Sequence, residues 1–516
     1  MKSADKKQTK EDYNRFRALS WTRLWTEEVP LFNQGSPEQR LDNVALIRAV
    51  GVVFIESGSP SQKAEVRTWL LDLLNDPQER IRRYAVSALP KIGAGLEEEA
   101  AFISLLQRTT SPIEKKFVSE ALNKIGGSAT IKNFDKLLLS SHTQQKVKAA
   151  VARSESPSSI RLYANVETSD TLAISLRCRL GLEKILCEEV EELGRKTHGL
   201  KVSAIQPGVV TVIRAAPFNL ASLFALRCFD TLGFVLASVP FPKPEGHVDA
   251  IARIITSPGA KFLFQTLTEG SIRYRLDYVS KGHQRSLVKS IADQAFKLDP
   301  SILNDSRSAP WVVEVYPLGK GYSVELAPKL ADPRLFYRLH DVPASSHPPL
   351  AACMARLAGN PANDIIWDPF CGAGLELVER TLRGGVTKVY GTDLSTEAVL
   401  IAHDNFSAAN LSGVDSRFVA CDFRQFATFE KLEPGSLSLI ITNPPMGKRV
   451  PVENLKVLIH DLFAEAARLL KPGGRLIFAN PLWMESPELT LRLQYRQTVD
   501  FNGFNCRLEK YNKLPR

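Results

Sequence analysis

In its last third the chain reads Asp368-Pro369-Phe370-Cys371-Gly372-Ala373-Gly374, directly after an apolar segment. Two glycines after a strand let the backbone turn tightly and approach a ligand without obstruction by a Cβ atom. Many nucleotide-binding and β–α connections contain such a turn, so alone it indicates only the general type of site. From residue 364 onward the pattern alternates between strand and helix. This alternation predicts an α/β domain whose parallel sheet carries helices on both faces.

Acidic residues stand at the ends of the next two predicted strands. Strands are predicted at residues 364–370, 388–394, 417–422, 437–442 and 474–479, and helices at 396–410 and 454–470. Ligands of such sheets bind beyond the carboxyl ends of the strands, where Asp393 and Asp422 stand. A carboxylate about 20 positions after the glycine turn suits a ribose, and the next one suits an adenine amino group. A dinucleotide enzyme is the alternative, but the third glycine of its motif is absent because that residue is Leu377.

The fourth predicted strand ends in Thr442-Asn443-Pro444-Pro445-Met446-Gly447. Two consecutive prolines fix φ and prevent further sheet pairing, so the loop is rigid. The amide oxygen of Asn443 and the carbonyl oxygen of Pro444 can then accept both hydrogens of one amine and aim its lone pair at a methyl donor. The predicted catalytic residues are Asn443, Pro444, Pro445 and Met446. The alternative is a Pro-Pro turn that only ends a buried strand.

The composition is that of a globular protein with a surplus of basic residues. The chain has 516 residues, of which 44% are hydrophobic and 24% charged, and its net charge is +10 with a pI near 9.1. This length predicts about three or four domains. The positive surplus favours a polyanionic partner, although many basic proteins bind no nucleic acid.

Several classes of protein are not expected from this sequence. The most apolar stretch, near residues 224–242, contains Arg227 and Asp230, so we expect no membrane span. The lysines near the N-terminus are not followed by an apolar segment, so no secretory signal is expected. The seven cysteines are spaced neither as a zinc site nor as a disulfide framework. We therefore expect a cytoplasmic protein without a metal.

Residues 36–165 are predicted to be helical and contain an internal repeat. Leu70-Leu71, Asp76-Pro77 and Ala88-Leu89-Pro90-Lys91-Ile92-Gly93 are echoed by Leu105-Leu106, Ser111-Pro112 and Ala121-Leu122-Asn123-Lys124-Ile125-Gly126. The offset of about 33–35 residues is typical of helical-pair solenoids. The pattern resembles HEAT-like repeats, including Arg80, Arg82 and Arg83 after the Asp-Pro turn. That resemblance implies a concave surface for a protein partner or a nucleic acid; a plain helical bundle is the alternative.

Polar segments separate the remaining regions. Residues 1–35 form an N-terminal polar segment, in which residues 1–12 are expected to be a disordered tail and residues 13–25 a short docked helix. Residues 154–159 are predicted to be a linker. After it, residues 171–330 mix strands and helices, and residues 331–516 form the last domain.

The middle region, residues 171–330, resembles the THUMP-containing region of RNA-modifying methyltransferases. The resemblance rests on Gly181-Leu182-Glu183, Ile272-Arg273-Tyr274-Arg275, Gly282-His283-Gln284-Arg285-Ser286, Trp311-Val312-Val313-Glu314-Val315 and Tyr322-Ser323-Val324-Glu325-Leu326. In that family the domain grips RNA, which makes Lys281, His283, Arg285 and Lys289 candidates to contact phosphates. For each of them the alternative is an ordinary solvated charge.

The last domain resembles the class I fold of amino-methylating enzymes, most of all the THUMP-linked guanine methyltransferases of transfer and ribosomal RNA. The motifs that carry this resemblance are the Asp-Pro-x-Cys-Gly-x-Gly loop, Asn443-Pro444-Pro445, and the upstream Tyr337-Arg338-Leu339-His340 and Ser346-His347-Pro348-Pro349-Leu350. Together with the THUMP-like region, the resemblance to this family covers about residues 173–512.

This family resemblance implies S-adenosyl-L-methionine as cofactor and the exocyclic amine of a guanine in structured RNA (tRNA or rRNA) as acceptor. The implied loop residues are Asp368, Gly372 and Gly374, while Asp393 would hold the ribose and Asp422 the adenine. The full set of implied cofactor-binding residues is Asp368, Pro369, Gly372, Gly374, Asp393, Leu394, Asp422, Phe423 and Asn443.

Three positions depart from the family pattern, two in the glycine loop and one after the two prolines. The family usually has Ser and Thr where this chain has Ala373 and Leu375, which removes two polar contacts near the methionine end of the cofactor. The residue after the two prolines is normally Tyr or Phe, on which the target base stacks, and here it is Met446. Phe423 and Trp483 are candidates to supply the missing ring.

Two other functions stay open at this point. Asn-Pro-Pro loops also serve adenine in DNA and glutamine in proteins, and a methyltransferase fold that lost its activity can remain as an RNA-binding protein. Lys448 and Arg449 follow the loop and are either phosphate contacts or surface charges. A protein partner that binds to the helical repeats is a further possibility.

Overall fold

The computed structural model describes the chain except residues 1, 59–61, 94, 138, 140–142, 145–146, 149–150, 152–156, 168–171, 198, 216, 241–245, 280–283, 319–320, 344, 412, 448–452, 502 and 516. The chain forms two compact units, Met1–Pro157 and Ser158–Arg516. Lys281, His283, Lys448, Arg449 and residues 154–156 of the predicted linker lie outside the described residues. The predicted boundaries at residues 35, 165 and 330 stay predictions.

The first unit is helical in all its described elements. Its helices are α1 (Lys2–Arg17), α2 (Trp21–Arg23), α3 (Val29–Gln34), α4 (Pro37–Asp42), α5 (Ala45–Ser57), α6 (Lys63–Asp72), α7 (Glu79–Ile92), α8 (Leu96–Arg108), α9 (Pro112–Ile125), α10 (Ser128–Lys132) and α11 (Phe134–Leu137). The internal repeat corresponds to two helical pairs, α6–α7 and α8–α9. At the turn between the two helices of each pair a proline follows a polar turn residue, as Pro77 follows Asp76 and Pro112 follows Ser111. Gly93, the residue directly after α7, has a φ of +89°, a conformation that favours glycine. The HEAT-like assignment itself stays a prediction.

The polar N-terminal residues 2–12 lie in α1, where the sequence led us to expect a tail. Phe16, which is 2% exposed, packs into the core of the first unit. A helix nucleated by that contact extends towards the N-terminus at little cost, because Lys, Gln, Glu and Asp each tolerate helical geometry. The docked helix predicted over residues 13–25 is divided: residues 13–17 end α1, and α2 (Trp21–Arg23) begins after a break at residues 18–20.

The second unit begins with an α+β region that contains an eight-stranded mixed sheet. Its elements are β1 (Ser158–Ile160), β2 (Asn165–Val166), β3 (Leu172–Arg177), α12 (Glu183–Thr197), β4 (Leu200–Gln206), β5 (Val209–Arg214), β6 (Phe218–Asn219), α13 (Leu220–Leu223), β7 (Thr231–Pro240), α14 (His247–Ile255), α15 (Pro258–Leu267), β8 (Thr268–Gly270), β9 (Arg273–Tyr278), α16 (Arg285–Leu298), β10 (Leu303–Asn304), β11 (Trp311–Leu318) and β12 (Gly321–Pro328). The strand order is β10-β9-β11-β12-β7-β3-β5-β4.

The C-terminal part of this unit is an α/β domain with a seven-stranded sheet. Its elements are α17 (Pro348–Ala358), β13 (Asp364–Asp368), α18 (Leu375–Leu382), β14 (Val386–Asp393), α19 (Thr396–Ala408), β15 (Asp415–Ala420), α20 (Phe423–Phe429), β16 (Leu437–Thr442), α21 (Leu455–Leu469), β17 (Leu470–Asn480), β18 (Leu491–Asp500) and β19 (Asn505–Lys513). The strand order is β15-β14-β13-β16-β17-β19-β18. All five predicted strands are present, and their neighbours pair in parallel. The hairpin β18–β19 pairs antiparallel to β17.

Helices cover both faces of this sheet, as the alternation of strands and helices predicted. Along β16, Leu439 and Ile441 join one core with residues of α17, α18 and α19, while Ile440 joins another with α20 and α21. Strands that are buried on both faces need continuous apolar runs, and every residue of β16 is buried. The two polar residues of β16, Ser438 and Thr442, lie near its two ends.

An ion pair with a buried carboxylate and a partly exposed guanidinium joins the α+β region to the α/β domain. The Arg227 guanidinium donates to the Glu379 carboxylate on α18 through Nε at 2.7 Å and Nη2 at 2.8 Å. The Tyr337 hydroxyl donates to the same carboxylate at 2.6 Å. Burial opposes the charge on Arg227, but the hydrogen bond and attraction of Glu379 outweigh it and raise the pKa of the guanidinium. This junction fixes α18, whose N-terminus borders the glycine loop.

Among the described residues, no helix is both long and apolar enough to cross a lipid bilayer. Within the same residues, no group of three or more His, Cys, Asp or Glu side chains is arranged to hold a metal ion. The expected cytoplasmic location and the expected lack of a metal stay predictions.

Candidate active site

A cavity of about 940 Å³ lies at the carboxyl edge of the seven-stranded sheet. It brings together the ends of three parallel strands and the Asn-Pro-Pro loop. Its lining includes these predicted site residues: Pro369, Gly372, Asp393, Leu394, Asp422, Phe423, Asn443, Pro444, Pro445 and Met446. Asp368 and Gly374 are not among the lining residues, and they act behind the surface of the cavity.

The glycine loop has the conformation that its sequence requires. Gly372 and Gly374 have φ values of +48° and +81°, which residues with a Cβ rarely adopt. A Cβ atom at Gly374 would lie 3.2 Å from the Cβ of Ala402 on α19. Gly374 therefore permits both the turn and the close packing of two helices at the edge of the cavity.

The loop holds the acidic residue at the end of β14. The backbone N–H of Gly372 donates to Oδ2 of Asp393 at 3.1 Å, and the N–H of Ser395 donates to Oδ1 at 2.9 Å. Each carboxylate oxygen has two lone pairs, so Asp393 keeps acceptor capacity towards the cavity. Its carboxylate is oriented before any ligand binds.

Asp422 and Phe423 border the cavity at the end of the neighbouring strand. Asp422 caps α20 through the N–H of Arg424 at 2.9 Å, and the Arg424 guanidinium binds its other oxygen at 2.9 Å. Phe423 is buried and packs against Phe370 of the glycine loop, with ring centroids 4.9 Å apart. This end of the cavity combines an oriented carboxylate with aromatic walls, which suits a purine.

Asp368 is fully buried beneath the loop and links β13 to β16. Its Oδ1 accepts from the N–H of Phe370 at 3.0 Å and from the Thr442 hydroxyl. Its Oδ2 is buried without a hydrogen-bond partner in the described part of the chain. Burial, together with the nearby charge of Glu376, raises the pKa of Asp368. Asp368 thus shapes the loop from behind, and it connects the loop to the strand that carries Asn443.

A relay of hydrogen bonds fixes the orientation of Asn443. The amide Nδ2 of Asn443 donates to Oγ of Ser346 at 2.8 Å, and the Ser346 hydroxyl donates to the Glu376 carboxylate. A hydroxyl has one hydrogen, so a serine that gives it to a carboxylate can only accept from the amide. Oδ1 of Asn443 is consequently turned the other way. It is buried and has no hydrogen-bond partner among the described residues.

Ser346 and Glu376 were missed as site residues by the sequence analysis. Ser346 belongs to the upstream motif quoted above, but nothing in the sequence connects it with Asn443, 97 positions away. Glu376, which is 3% exposed, follows the glycine loop in the first turn of α18. Burial raises the pKa of its carboxyl, against the hydrogen bond from Ser346. A carboxylate at an otherwise apolar helix position was the one available signal.

Two phenylalanines of the β18–β19 turn also border the cavity and were not predicted. Phe501 and Phe504 line it together with Met446, and their ring centroids are 5.8 Å apart. Arg179, from the α+β region, also lines the cavity and lies 5.5 Å from the centroid of Phe501. The Asn-Gly dipeptide at residues 502–503 is a hairpin signal that would have predicted the turn, though not its position at the site.

The two rings considered as replacements for the missing aromatic residue differ in position. Phe423 lines the cavity, but it packs against Phe370 near Asp422. Trp483 is 67% exposed, and Arg507 lies over its ring at 3.9 Å. Trp483 is not among the described residues that line the cavity, and its role in stacking stays a prediction.

Cys371 sits in the glycine loop and is 3% exposed. Burial raises the pKa of its thiol, which disfavours the thiolate. Its small size suits the packed interior of the loop.

Comparison with known proteins identifies the α/β domain. Residues 336–510 match the family model described as UPF0020: RMKL-like, methyltransferase domain. The tRNA (guanine(10)-N2)-dimethyltransferase of Methanothermobacter thermautotrophicus is 31% identical over 149 residues, which are 28% of this chain and 42% of that protein. The U6 snRNA (guanine-N(2))-methyltransferase THUMPD2 of Mus musculus is 31% identical over 160 residues, which are 31% of this chain and 29% of that protein. The chain spans less than half the length of each of these two relatives.

A solved structure extends the likeness in fold beyond that domain. The crystal structure of TrmN from Thermus thermophilus superposes with a TM-score of 0.52 at 20% identity, over 66% of this chain and 100% of that one. The resemblance to the guanine-N2 methyltransferase family noted from the sequence is confirmed, and so is the class I methyltransferase fold. The HEAT-like and THUMP-like assignments are not decided by these matches.

Proposed function

We propose that this protein transfers a methyl group from S-adenosyl-L-methionine to the exocyclic amine of a guanine in structured RNA. The observation that carries the proposal is Oδ1 of Asn443, which has no hydrogen-bond partner in the described part of the chain and is held by the Ser346–Glu376 relay at the edge of a cavity of about 940 Å³. The names of the two relatives, a tRNA guanine-N2 dimethyltransferase and a U6 snRNA guanine-N2 methyltransferase, support guanine in RNA as the acceptor.

The residues around the cavity fit S-adenosyl-L-methionine. Asp393 retains acceptor capacity for ribose hydroxyls, and Asp422 with Phe423 offers a carboxylate and a ring to the adenine. Gly372 borders the cavity at a positive φ and has no Cβ to obstruct a ligand. When bound, the cofactor supplies an electrophilic methyl group on a sulfonium ion. The fit is polar at the nucleoside end and apolar at Ala373 and Leu375, where the usual Ser and Thr are missing.

The chain's own contribution to the reaction is positioning. Oδ1 of Asn443 and the carbonyl oxygen of Pro444 accept the two amine hydrogens, which directs the nitrogen lone pair out of the loop. The two prolines hold this geometry without a further ordering cost. Glu376 keeps the amide in the one orientation that presents an acceptor, since its charge determines which way the Ser346 hydroxyl points.

The acceptor base needs a ring to stack on, and Phe504 is the residue that supplies it. Met446 is half-buried and faces the same cavity, but a thioether offers a weaker platform than a ring. Phe504 and Phe501 approach from β18–β19, with Arg179 beside them to bind a phosphate or stack on the base. In this protein the ring that stacks on the base thus belongs to the β18–β19 hairpin and not to the Asn-Pro-Pro loop.

RNA binding by the THUMP-like region belongs to the same proposal. Arg285 and Lys289 are exposed on the first turns of α16, where they are free to reach a phosphate backbone. The helical pairs of the first unit are proposed to be HEAT-like repeats.

The first test separates the cofactor site from the acceptor loop. Isothermal titration with S-adenosyl-L-methionine is expected to give binding in the wild type and in Asn443→Ala, and none in Asp393→Ala. Methyl transfer to RNA from cells lacking the protein is expected to fall about 10²–10³-fold in Asn443→Ala. The matched control is Asn360→Ala, because Asn360 is exposed and binds Arg383.

The acceptor is identified by treating the labelled product with ribonuclease, deoxyribonuclease or protease. Loss of label with ribonuclease, and N2-methylguanosine among the nucleosides, is the expected result. Label that resists ribonuclease would instead assign adenine in DNA or glutamine in protein as the acceptor. No cofactor binding in the wild type would overturn the proposal and leave an RNA-binding protein without methyl transfer.

A further inference from the structure

The helices of the first unit form a layer in which α1, α5, α7 and α9 lie side by side. Gly51 permits the close approach of α5 and α7, because a Cβ atom there would lie 3.1 Å from the Cβ of Ala88. Phe16 docks α1 on the same layer. Tight packing fixes the spacing of the side chains that these four helices present to solvent.

One set of basic residues in this unit has a structural role. Arg40 binds Asp76 at 2.6 Å and Arg82 binds Glu114 at 2.7 Å. The carboxylates are almost fully buried, with side chains 3% and 0% exposed. Each ion pair joins side chains more than 30 positions apart. The first links α4 to the turn before α7, and the second links α7 to α9. These cations are neutralised within the fold.

A second set is not neutralised. Arg48 on α5, Lys91 on α7 and Lys124 on α9 are exposed, and none of the three has an ion-pair partner among the described residues. The Arg48 guanidinium lies 4.5 Å from the centroid of Tyr13 on α1. Burial of its stem, and then the charges of Arg48 and Lys124, lower the pKa of Lys91. The three helices therefore place like charges near one another, which is unfavourable unless an anion joins them.

A cavity of about 340 Å³ opens beside Arg48 on this layer. Lys10, Arg48 and Arg80 contribute cations to its wall, Tyr13 and Tyr84 contribute rings, and no carboxylate is among its described lining. Arg80 is held in place by a hydrogen bond to the Thr9 hydroxyl at 2.8 Å. We name this surface, formed by Lys10, Tyr13, Arg48, Arg80 and Tyr84, the basic cavity.

We infer that the basic cavity, continued by Lys91 and Lys124, is a second RNA-binding site that holds the phosphate backbone on the helical unit. Arg48, Lys91 and Lys124, for which the described part of the chain offers no ion pair, release counterions when they meet phosphates. Tyrosine rings beside them suit bases, which an acidic peptide does not offer. The choice of RNA over another polyanion rests on the proposed function; the anion site itself does not.

The test measures binding by the full chain without cofactor. A fluorescein-labelled RNA hairpin is titrated by anisotropy at several salt concentrations. In the double variant Arg48→Gln/Lys91→Gln, affinity is expected to fall about tenfold, and the slope of log affinity against log salt to decrease by about two. The matched control is Arg17→Gln/Arg23→Gln, because both arginines are exposed and already paired, with Glu56 and Glu27.

Further measurements keep the inference falsifiable. The conservative variant Arg48→Lys/Lys91→Arg should restore binding, and thermal unfolding should show that each variant is folded. An unchanged affinity and salt slope in the folded double variant would overturn the inference. Equal competition by poly-glutamate would assign the surface to an acidic protein instead. Titration with S-adenosyl-L-methionine should be the same in all variants, so failure here is distinct from failure of the proposed methyl transfer.

Discussion

Two buried glutamates, three residues apart on α18, face two different regions of the second unit. Glu379 faces the junction with the α+β region and accepts three hydrogen bonds, two from Arg227 and one from Tyr337. Glu376 faces the candidate active site and accepts from the neutral hydroxyl of Ser346. The two are equally hidden, at 2% and 3% exposure. They differ in their hydrogen-bond donors: Glu379 binds the positively charged Arg227, and Glu376 binds a neutral hydroxyl.

The difference shows how a fold divides its buried carboxylates between stability and chemistry. A buried charge is costly unless a partner neutralises it. At the junction Arg227 does so, and the pair holds two regions together. At the site the cost remains, as the raised pKa values of Glu376 and Asp368 show. Perturbed groups of this kind cluster where ligands bind.

The largest effect is expected from breaking the junction. Glu379→Gln leaves the Arg227 guanidinium, which is 22% exposed, without its bidentate counter-charge, and we expect the free energy of unfolding to fall by about 3 kcal/mol, the lower end for a buried pair. Urea unfolding of the full chain measures this. The control is Glu485→Gln, whose ion pair with Arg496 is exposed on the glutamate side and should be worth about 0–1 kcal/mol. Equal effects of the two variants would remove the distinction between the regions.

The matching change at the site is expected to alter catalysis and to spare stability. Glu376→Gln removes the charge that orients Ser346 and Asn443, and we expect kcat to fall about tenfold, about 1.4 kcal/mol, with cofactor affinity retained. Burial raises the pKa of Glu376 in the folded state. Its ionised form therefore costs stability as pH rises through that pKa, and the variant should be no less stable than the wild type.

The pH profile of the same variant tests whether the charge of Glu376 orients Ser346 and Asn443. In the wild type, kcat should decrease as pH falls through the raised pKa of Glu376, because a protonated carboxyl no longer fixes the Ser346 hydroxyl. Glu376→Gln should lack this acid limb, while Glu485→Gln should keep it. An identical acid limb in all three proteins would show that the relay does not orient Asn443.

The smallest effect is expected from the hairpin that borders the site. Phe504→Ala removes the proposed stacking ring, and we expect KM for RNA to rise about fivefold, near the lower end of base-stacking energies. The affinity for S-adenosyl-L-methionine and the free energy of unfolding should change little. Phe429→Ala is the control, because Phe429 is 60% exposed. A change in cofactor affinity, with KM for RNA unaltered, would place Phe504 at the other end of the cavity.

The sequence predicted the parts of the site that depend on local chain geometry. The glycine turn, the acidic strand ends and the Pro-Pro loop each have a physical reason for their residue types within a few positions. The five parallel strands followed from apolar runs, and the bounds of β16 agree to the residue. The N-terminal helix could not be predicted from the sequence, because its polar first turns extend a helix that is stabilised by the tertiary contact of Phe16.

By itself the sequence determined that a glycine loop, two acids and a rigid Asn-Pro-Pro loop would meet at one sheet edge, because parallel strands end together. Only the tertiary structure decided which way Asn443 points, since Ser346 and Glu376 reach it from separate parts of the chain. It also decided that Phe501, Phe504 and Arg179 border the same cavity. Such contacts depend on how whole elements pack, and no local pattern of residues encodes that packing.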